Sequence, residues 1–339
     1  MHLQEQMHQP RCSQQRKIEL MARAKIFIDG EAGTTGLQIR ARLTHRSDIE
    51  LISITHDKRK DDDERQRLLN SVDVAVLCLP DDAARAAVAM ISNPNVRVLD
   101  ASTAHRTQPD WVYGIPELAP HQADKIRTAH RVANPGCYSS GMVLLVRPLV
   151  DAGLLPPEVP LTVQGISGYS GGGRQMIDSF EGRGANVIND PIRLYALELN
   201  HKHVEEMRLH SGLVHRPLFV PAVGKFAQGM LVEIPLQLWA LPKPVSGLEI
   251  HQALAHRYAN QRFIKVMPLD PRPAVHLAPD ALNGSNRMEI FVFENRAEQQ
   301  ALLVARLDNL GKGASGAAVQ NLDLMLGLGG SSLYELPAD

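Results

Sequence analysis

From Lys25 onward, short apolar runs alternate with amphipathic stretches, and the alternation has a regular beat. KIFID, ELISIT, DVAVLCLP and VRVLD read as buried strands, because each is a brief run of branched apolar residues ended by a polar or turn-forming one. Between them lie a glycine loop leading into an amphipathic stretch to about Thr44, the helical DDDERQRLLN, and DDAARAAVAMI, read as a helix opened by an Asp cap. Strands alternating with helices predict a parallel, doubly wound sheet. After roughly Pro135 the texture changes: MLVEIPLQLWA, RMEIFVFEN and QQALLVARLDN alternate apolar with polar positions, which suits a mostly antiparallel sheet with one wet face. GKGASGAAVQNLDLMLGL has helical spacing and small residues that permit close approach. The expectation is an α/β chain: a doubly wound, parallel-sheet dinucleotide-binding domain at 22–135, an α+β catalytic and oligomerisation domain at 136–305, and a segment at 306–339 whose helix returns to the first domain.

Composition narrows the classes of function. The 339 residues can bury a sizeable core, and 36 basic against 37 acidic residues give no overall pull toward nucleic acid or an anionic membrane. Any anion site must be local. Three scattered cysteines suit a reducing compartment, the cytoplasm by default, and no apolar run approaches the roughly 18 residues that a span requires. Residues 1–21 are rich in Gln and poor in apolar surface, so they read as a disordered extension, with Met21 an alternative start of synthesis.

Gly30, Gly33 and Gly36 form G-x-x-G-x-x-G between the first strand and the first helix, with Thr34 and Thr35 inside the loop. Such a turn bares backbone N–H groups at a helix N-terminus, where pyrophosphate is attracted. The second strand runs into Thr55, His56, Asp57, Lys58, Arg59 and Lys60. Cations there suit a 2′-phosphate and favour NADP, with Lys58 and Arg59 as its candidates, although Asp57 is able to take a ribose hydroxyl and the run also reads as a solvated charge cluster.

The segment Ala133–Gly141 carries Asn134-Pro135-Gly136-Cys137-Tyr138 into an apolar helical stretch. Proline and glycine force a sharp turn that sets Cys137 at a helix start, where orphan N–H groups stabilise a thiolate and an oxyanion. Cys12 and Cys78 carry no such signal. Ser139 and Ser140 bind phosphate or merely cap the helix. Arg106, in a loop at the carboxyl edge of the parallel sheet, is a candidate for a substrate phosphate or carboxylate, or for a structural ion pair. Gly168 opens a glycine run ending in Arg174, able to grip an anion bidentately or to act as a flexible turn. The acid–base step of thioester chemistry requires a group expected to titrate near neutrality, and His201 and His203 are its candidates. No third Cys or His at ligand spacing accompanies them, so no metal is expected. Glu206, three residues past His203, shares its face if the stretch is helical.

These blocks resemble the N-acetyl-gamma-glutamyl-phosphate reductase family, in its shorter branch: the glycine loop EAGTTG, the Asn-Pro-Gly-Cys-Tyr turn, YGIPEL at 113–118, GISGYSGGGR at 165–174, HKHVEEM at 201–207 and VPAVGKFAQGM at 220–230 follow the family order. The resemblance covers most of residues 24–330. It implies that His203, with His201 as its neighbour, supplies the catalytic imidazole, that Gly168 and Arg174 belong to a substrate and cofactor loop, and that Gly313, Ala314, Ser315 and Gly316 lie in a return segment beside the cofactor, where a packing role is the alternative. It further implies an NADPH-dependent reduction of an acyl phosphate through a Cys137 thioester, in arginine biosynthesis, by a homodimer or homotetramer. Two alternatives remain at this point: a related reductase of aspartyl phosphate or carrier-linked aminoadipyl phosphate, and a non-enzymatic NADP-binding redox sensor.

Overall fold

The computed structural model describes residues 23–269 and 276–328. The expected extension at 1–21, the start at Met21 and the last residues of the returning segment lie outside the described residues.

The apolar runs near the amino terminus form β1 (Ala24–Asp29), β2 (Ile49–Ile52), β3 (Val74–Leu77) and β4 (Arg97–Asp100), interleaved with α1 (Thr34–Leu43), α2 (Asp62–Leu69) and α3 (Asp81–Met90). Then come β5 (Val112–Tyr113), α4 (Gln122–Thr128) and β6 (Arg131–Ala133). The six strands pair in the order β2-β1-β3-β4-β6-β5, every pair parallel. Because the sheet is covered on both faces, its strands are apolar at successive positions: Ile26 and Ile28 point to one cluster, Phe27 to the other. Asp61 caps α2 by accepting from the N–H groups of Asp63 and Glu64. The cap expected at Asp81 does not form; Pro80 precedes α3, and the Asp81 carboxylate instead accepts from the N–H and hydroxyl of Thr103, fastening the loop after β4.

The second domain opens with α5 (Cys137–Asp151) and continues through β7 (Thr162–Gly168), α6 (Gly173–Phe180), β8 (Ile192–Leu194), α7 (Val204–Ser211), β9 (Leu218–Gly224), β10 (Met230–Gln237), α8 (Gly247–Tyr258), β11 (Ile264–Val266), β12 (Met288–Asn295) and β13 (Gln300–Leu307). Its seven-stranded sheet runs β11-β12-β13-β10-β7-β9-β8, antiparallel except at β11·β12 and β7·β9. One face packs on α5, whose Met142, Leu145 and Leu149 are fully buried among Val163, Phe219, Val232 and Leu303. α8 begins with a capping box between Ser246 and Glu249.

A π-helical turn at Gly311–Ser315 precedes α9 (Gly316–Leu326). Ala318, Val319, Leu322 and Met325 of α9 join Ile26, Ile28, Val74 and Leu99 in one cluster, so the last helix covers the first sheet beside α1 and α4. Polar contacts fix its rotation: Asn321 donates to the carbonyl of Gly114 and to Asn134, and Arg46 pairs with Asp323.

Candidate active site

β6 delivers the chain to the turn that carries the thiol. The Asn134 N–H donates to the carbonyl of Asp100 at 2.7 Å, and the Asn134 carbonyl accepts from Arg106 Nε at 2.9 Å. Gly136 is the N-cap and Cys137 the first residue of α5, as the Pro-Gly-Cys spacing predicts. A Cβ at Gly136 would sit 2.5 Å from His203 Nε2 and 2.6 Å from Arg106 Nη1, so only glycine lets both side chains close on the turn. Glu206, 1% exposed, is the knot below it. Its carboxylate accepts from the Gly136 N–H at 2.8 Å, the Tyr113 hydroxyl at 2.6 Å and Arg106 Nη1 at 3.2 Å. From the other domain edge the π-helical turn presses in: a Cβ on Gly313 would lie 2.8 Å from Cys137 Cβ. π turns commonly mark functional positions, and here the extra residue brings bare backbone against the thiol.

Cys137 is half-buried and lies where two cavities of about 180 Å³ each meet. One is walled by Tyr138, Ser167, Gly168, Tyr195 and His201. The other is walled by Thr34, Thr35, Arg106, Asn134, His203, Asn309, Gly313 and Ala314. Lys202 lines both. Burial pushes the Cys137 thiol up to about 11, against the opposing pull of the Tyr138 N–H and of Arg106 and Lys202. The helix start therefore lowers the cost of a thiolate without making it the resting state, contrary to the expectation from position alone. Burial, reinforced by Arg106 and His201, holds His203 well below the ordinary imidazole range. Burial, with Lys202, brings His201 down to about 4. Both imidazoles are neutral at pH 7 and titrate below the near-neutral range expected of the acid–base group, because burial disfavours their charged forms. His201 Nδ1 accepts from the His203 N–H at 3.1 Å, which leaves the His201 proton on Nε2. His203 Nδ1 is buried without a partner among the described residues.

The cofactor side follows α1. Gly30, at φ +86°, turns the chain; a Cβ there would lie 2.3 Å from the carbonyl oxygen of Cys78, and one on Gly36 would lie 2.5 Å from that of Gly30. Both are glycine because the turn has no room. Gly33, the N-cap of α1, contributes no side-chain cap, so the first-turn N–H groups remain open to an anion. On one side of this helix start is the Thr34–Thr35 wall of the thiol cavity; on the other is a cavity of about 340 Å³ lined by Gly30, Glu31, Arg59, Lys60, Arg65 and Leu79. An anion-binding helix start between two cavities, one ending at a thiol, fits a dinucleotide.

The remaining candidates fall in several places. Arg59 lines the far cavity and Lys58 does not, while Lys60 does; Arg40, unmarked by the sequence pattern, donates to Ser53 and to Glu31 of the cavity wall. Ser140 donates to the Gly136 carbonyl, and Ser139 is fully buried with its hydroxyl unpartnered among the described residues, so neither faces a cavity. Arg174 points outward, its side chain 76% exposed and paired with Asp178. Gly316 packs one turn below the cavity against Asn286, while Gly313 and Ala314 form the wall. Glu206 is consumed by its three donors rather than open to a ligand. Lys202, Tyr195 and Asn309 escaped as individual residues, although Lys202 stands inside the HKH block. Among the described residues no cluster of His, Cys, Asp or Glu is able to hold a metal, and no helix is long and apolar enough to cross a membrane.

A doubly wound sheet that leads a nucleotide crevice to a helix-start thiol defines a cysteine-dependent dehydrogenase class. Residues 25–126 match the family model of the semialdehyde dehydrogenase NAD-binding domain, and residues 137–309 that of the semialdehyde dehydrogenase dimerisation domain. N-acetyl-gamma-glutamyl-phosphate reductase 2 of Nostoc sp. is 58% identical over 316 residues, 91% of this chain and 98% of that protein. N-acetyl-gamma-glutamyl-phosphate reductase of Burkholderia cenocepacia is 56% identical over 303 residues, 89% of this chain and 97% of that protein. The chain belongs to the semialdehyde dehydrogenase family and, within it, to the N-acetyl-gamma-glutamyl-phosphate reductases. Among solved structures, aspartate semialdehyde dehydrogenase II of Vibrio cholerae superposes with a TM-score of 0.68 at 16% identity, covering 90% of this chain and 99% of that one. Aspartate semialdehyde dehydrogenase of Candida albicans, solved with NADP, gives 0.60 at 15%, with the same coverage. The family binds a nicotinamide dinucleotide through its first domain and acts on small molecules.

Proposed function

We propose that this chain reduces N-acetyl-gamma-glutamyl phosphate to N-acetylglutamate 5-semialdehyde, with NADPH as reductant and release of phosphate. The observation that carries the reading is the position of Cys137 at the meeting point of two cavities, one of them reaching the start of α1. The sulfur attacks the acyl carbon, the carbon–oxygen bond to phosphate breaks, and phosphate leaves with the electron pair, so the acyl group is held as a thioester. When bound, the dinucleotide supplies the hydride. Since the resting thiol is protonated, a base must act as the sulfur attacks; neutral His203, buried beside the turn, suits that role and returns the proton to the product side. His201, fixed with its proton on Nε2, is suited to donate to the carbonyl oxygen from the other cavity. Glu206 and Arg106 hold the turn in register.

Arg59 and Lys60 beside the glycine loop support NADP over NAD. Homo-oligomer formation is supported by the β8–β9 end of the second sheet, where Ile192, Leu194 and Leu218 are about half exposed at 52%, 54% and 47%. The test is the reverse reaction: the purified chain, given semialdehyde, inorganic phosphate and NADP, forms NADPH only when phosphate is present. Turnover of aspartate semialdehyde in preference, or NADPH formation that ignores phosphate, would defeat the reading.

A further inference from the structure

The two histidines and Arg106 leave the thiol without a free cation at its two cavities. Among the described residues no carboxylate lines either cavity at Cys137. Of the basic groups that do, Arg106 is already paired with Glu206 at 3.2 Å and donates twice more to the carbonyls of Asn134 and Ala101. His201 and His203 are neutral, and Arg174 is turned outward onto Asp178. Lys202 is different. It is solvent-exposed, it borders both cavities, and its ammonium has no ion pair or hydrogen bond among the described residues. Its charge is felt at Cys137, at His201 and at His203.

We infer that Lys202 is the anion-binding residue of the site, receiving the phosphoryl group of the acyl phosphate and the phosphate that departs from it. The inference rests on the acyl-phosphate reading above and specifies which side chain meets its charge. As the sulfur–carbon bond forms and the carbon–oxygen bond breaks, negative charge grows on the departing phosphate oxygen. An unpaired ammonium at the junction is worth most at that moment, because it gives up no existing partner to bind. The compact, mobile point charge of lysine also suits a group that arrives bound and leaves free, in contrast to the fixed fork of Arg106. Its sequence position agrees: it stands between His201, which lines one cavity, and His203, which lines the other.

The experiment is steady-state kinetics of the full chain in the reverse direction, comparing Lys202→Met and Lys202→Arg with the unsubstituted protein. Loss of one charge-assisted contact raises the KM for inorganic phosphate by about tenfold to hundredfold in Lys202→Met, with KM for semialdehyde and for NADP nearly unchanged. Lys202→Arg recovers most of the loss. An independent readout needs no turnover: phosphate slows alkylation of Cys137 by iodoacetamide in the unsubstituted protein and fails to do so in Lys202→Met. An unchanged phosphate KM overturns the assignment. So does a rise confined to semialdehyde, which would mean that the ammonium faces the substrate carboxylate, or one confined to NADP. If the unsubstituted protein shows no phosphate-dependent turnover at all, the functional reading itself fails and takes this assignment with it; if turnover is normal and only the variant result is wrong, the assignment alone falls.

Discussion

Below Cys137 and above it the protein follows opposite rules. Below, the charged groups that hold the turn are paired: Glu206 takes three donors, and Lys312 is clamped between Glu117 and Gln320, both acceptor oxygens at 2.7 Å, in the turn that presses on the thiol. Above, in the two cavities, no ion pair ties the thiol, the two neutral imidazoles or Lys202, and His203 Nδ1 has no partner among the described residues. The difference separates positioning from chemistry. Matched buried charges fix a geometry at the price of desolvation, whereas groups meant to exchange protons or meet a substrate must keep a free valence.

Substitutions above the thiol should affect rate, and those below should affect stability. The largest effect belongs to Cys137→Ala, expected to lower turnover by roughly 10⁴-fold or more while NADPH binding, read by fluorescence titration, stays within a factor of two or three. Appreciable turnover in that variant would remove the thioester. Next, His203→Asn should lower kcat by about 10²- to 10⁴-fold with an unchanged melting temperature; a loss of stability in place of rate would move His203 to the positioning side. Glu206→Ala strands Arg106 without its countercharge and frees the Gly136 N–H, a cost of about 3–5 kcal/mol visible as a lower urea midpoint. If that variant unfolds normally but is slow, the carboxylate acts on the chemistry directly.

Smaller effects test the flanks. Replacing Arg59 and Lys60 together by alanine should raise the KM for NADPH by about tenfold and leave that for NADH unaltered; parallel losses with both would argue against a 2′-phosphate contact. The pH dependence has a definite sign. His201, His203 and His210 are all held below the ordinary imidazole range by burial, so below pH 6.5 the unfolded chain takes up protons that the folded chain refuses. The melting temperature should fall as pH drops from 6.5 toward 5, before carboxylates contribute, and a flat profile there would show the imidazoles to be better hydrated than their burial implies. In the same scans the alkylation rate of free Cys137 should climb about tenfold per pH unit from 7 to 9.

Much of this was readable from the chain alone, for reasons of locality. β1 to β4 announce themselves because a strand buried on both faces needs a continuous apolar run, and the Pro-Gly-Cys turn is spelled by neighbours in sequence. What escaped depends on partners far away. Asp81 looks like a cap, but Thr103, reached through β4, wins its carboxylate. The thiol looks acidic from its helix start, yet the return of Gly313 and the closure of the second domain bury it. Arg174 follows three glycines and looks like a clamp, and its own helix supplies Asp178 one turn on. Lys202 was hidden by its more conspicuous neighbours.

The helix that completes the first sheet is also the last one among the described residues. Until Ala318, Val319, Leu322 and Met325 have been synthesised, Ile26, Ile28, Val74 and Leu99 wait with one side uncovered. The domain begun first on the ribosome is thus among the last to close, and it must remain partly open, greasy and in need of shielding while the whole of the second domain is made.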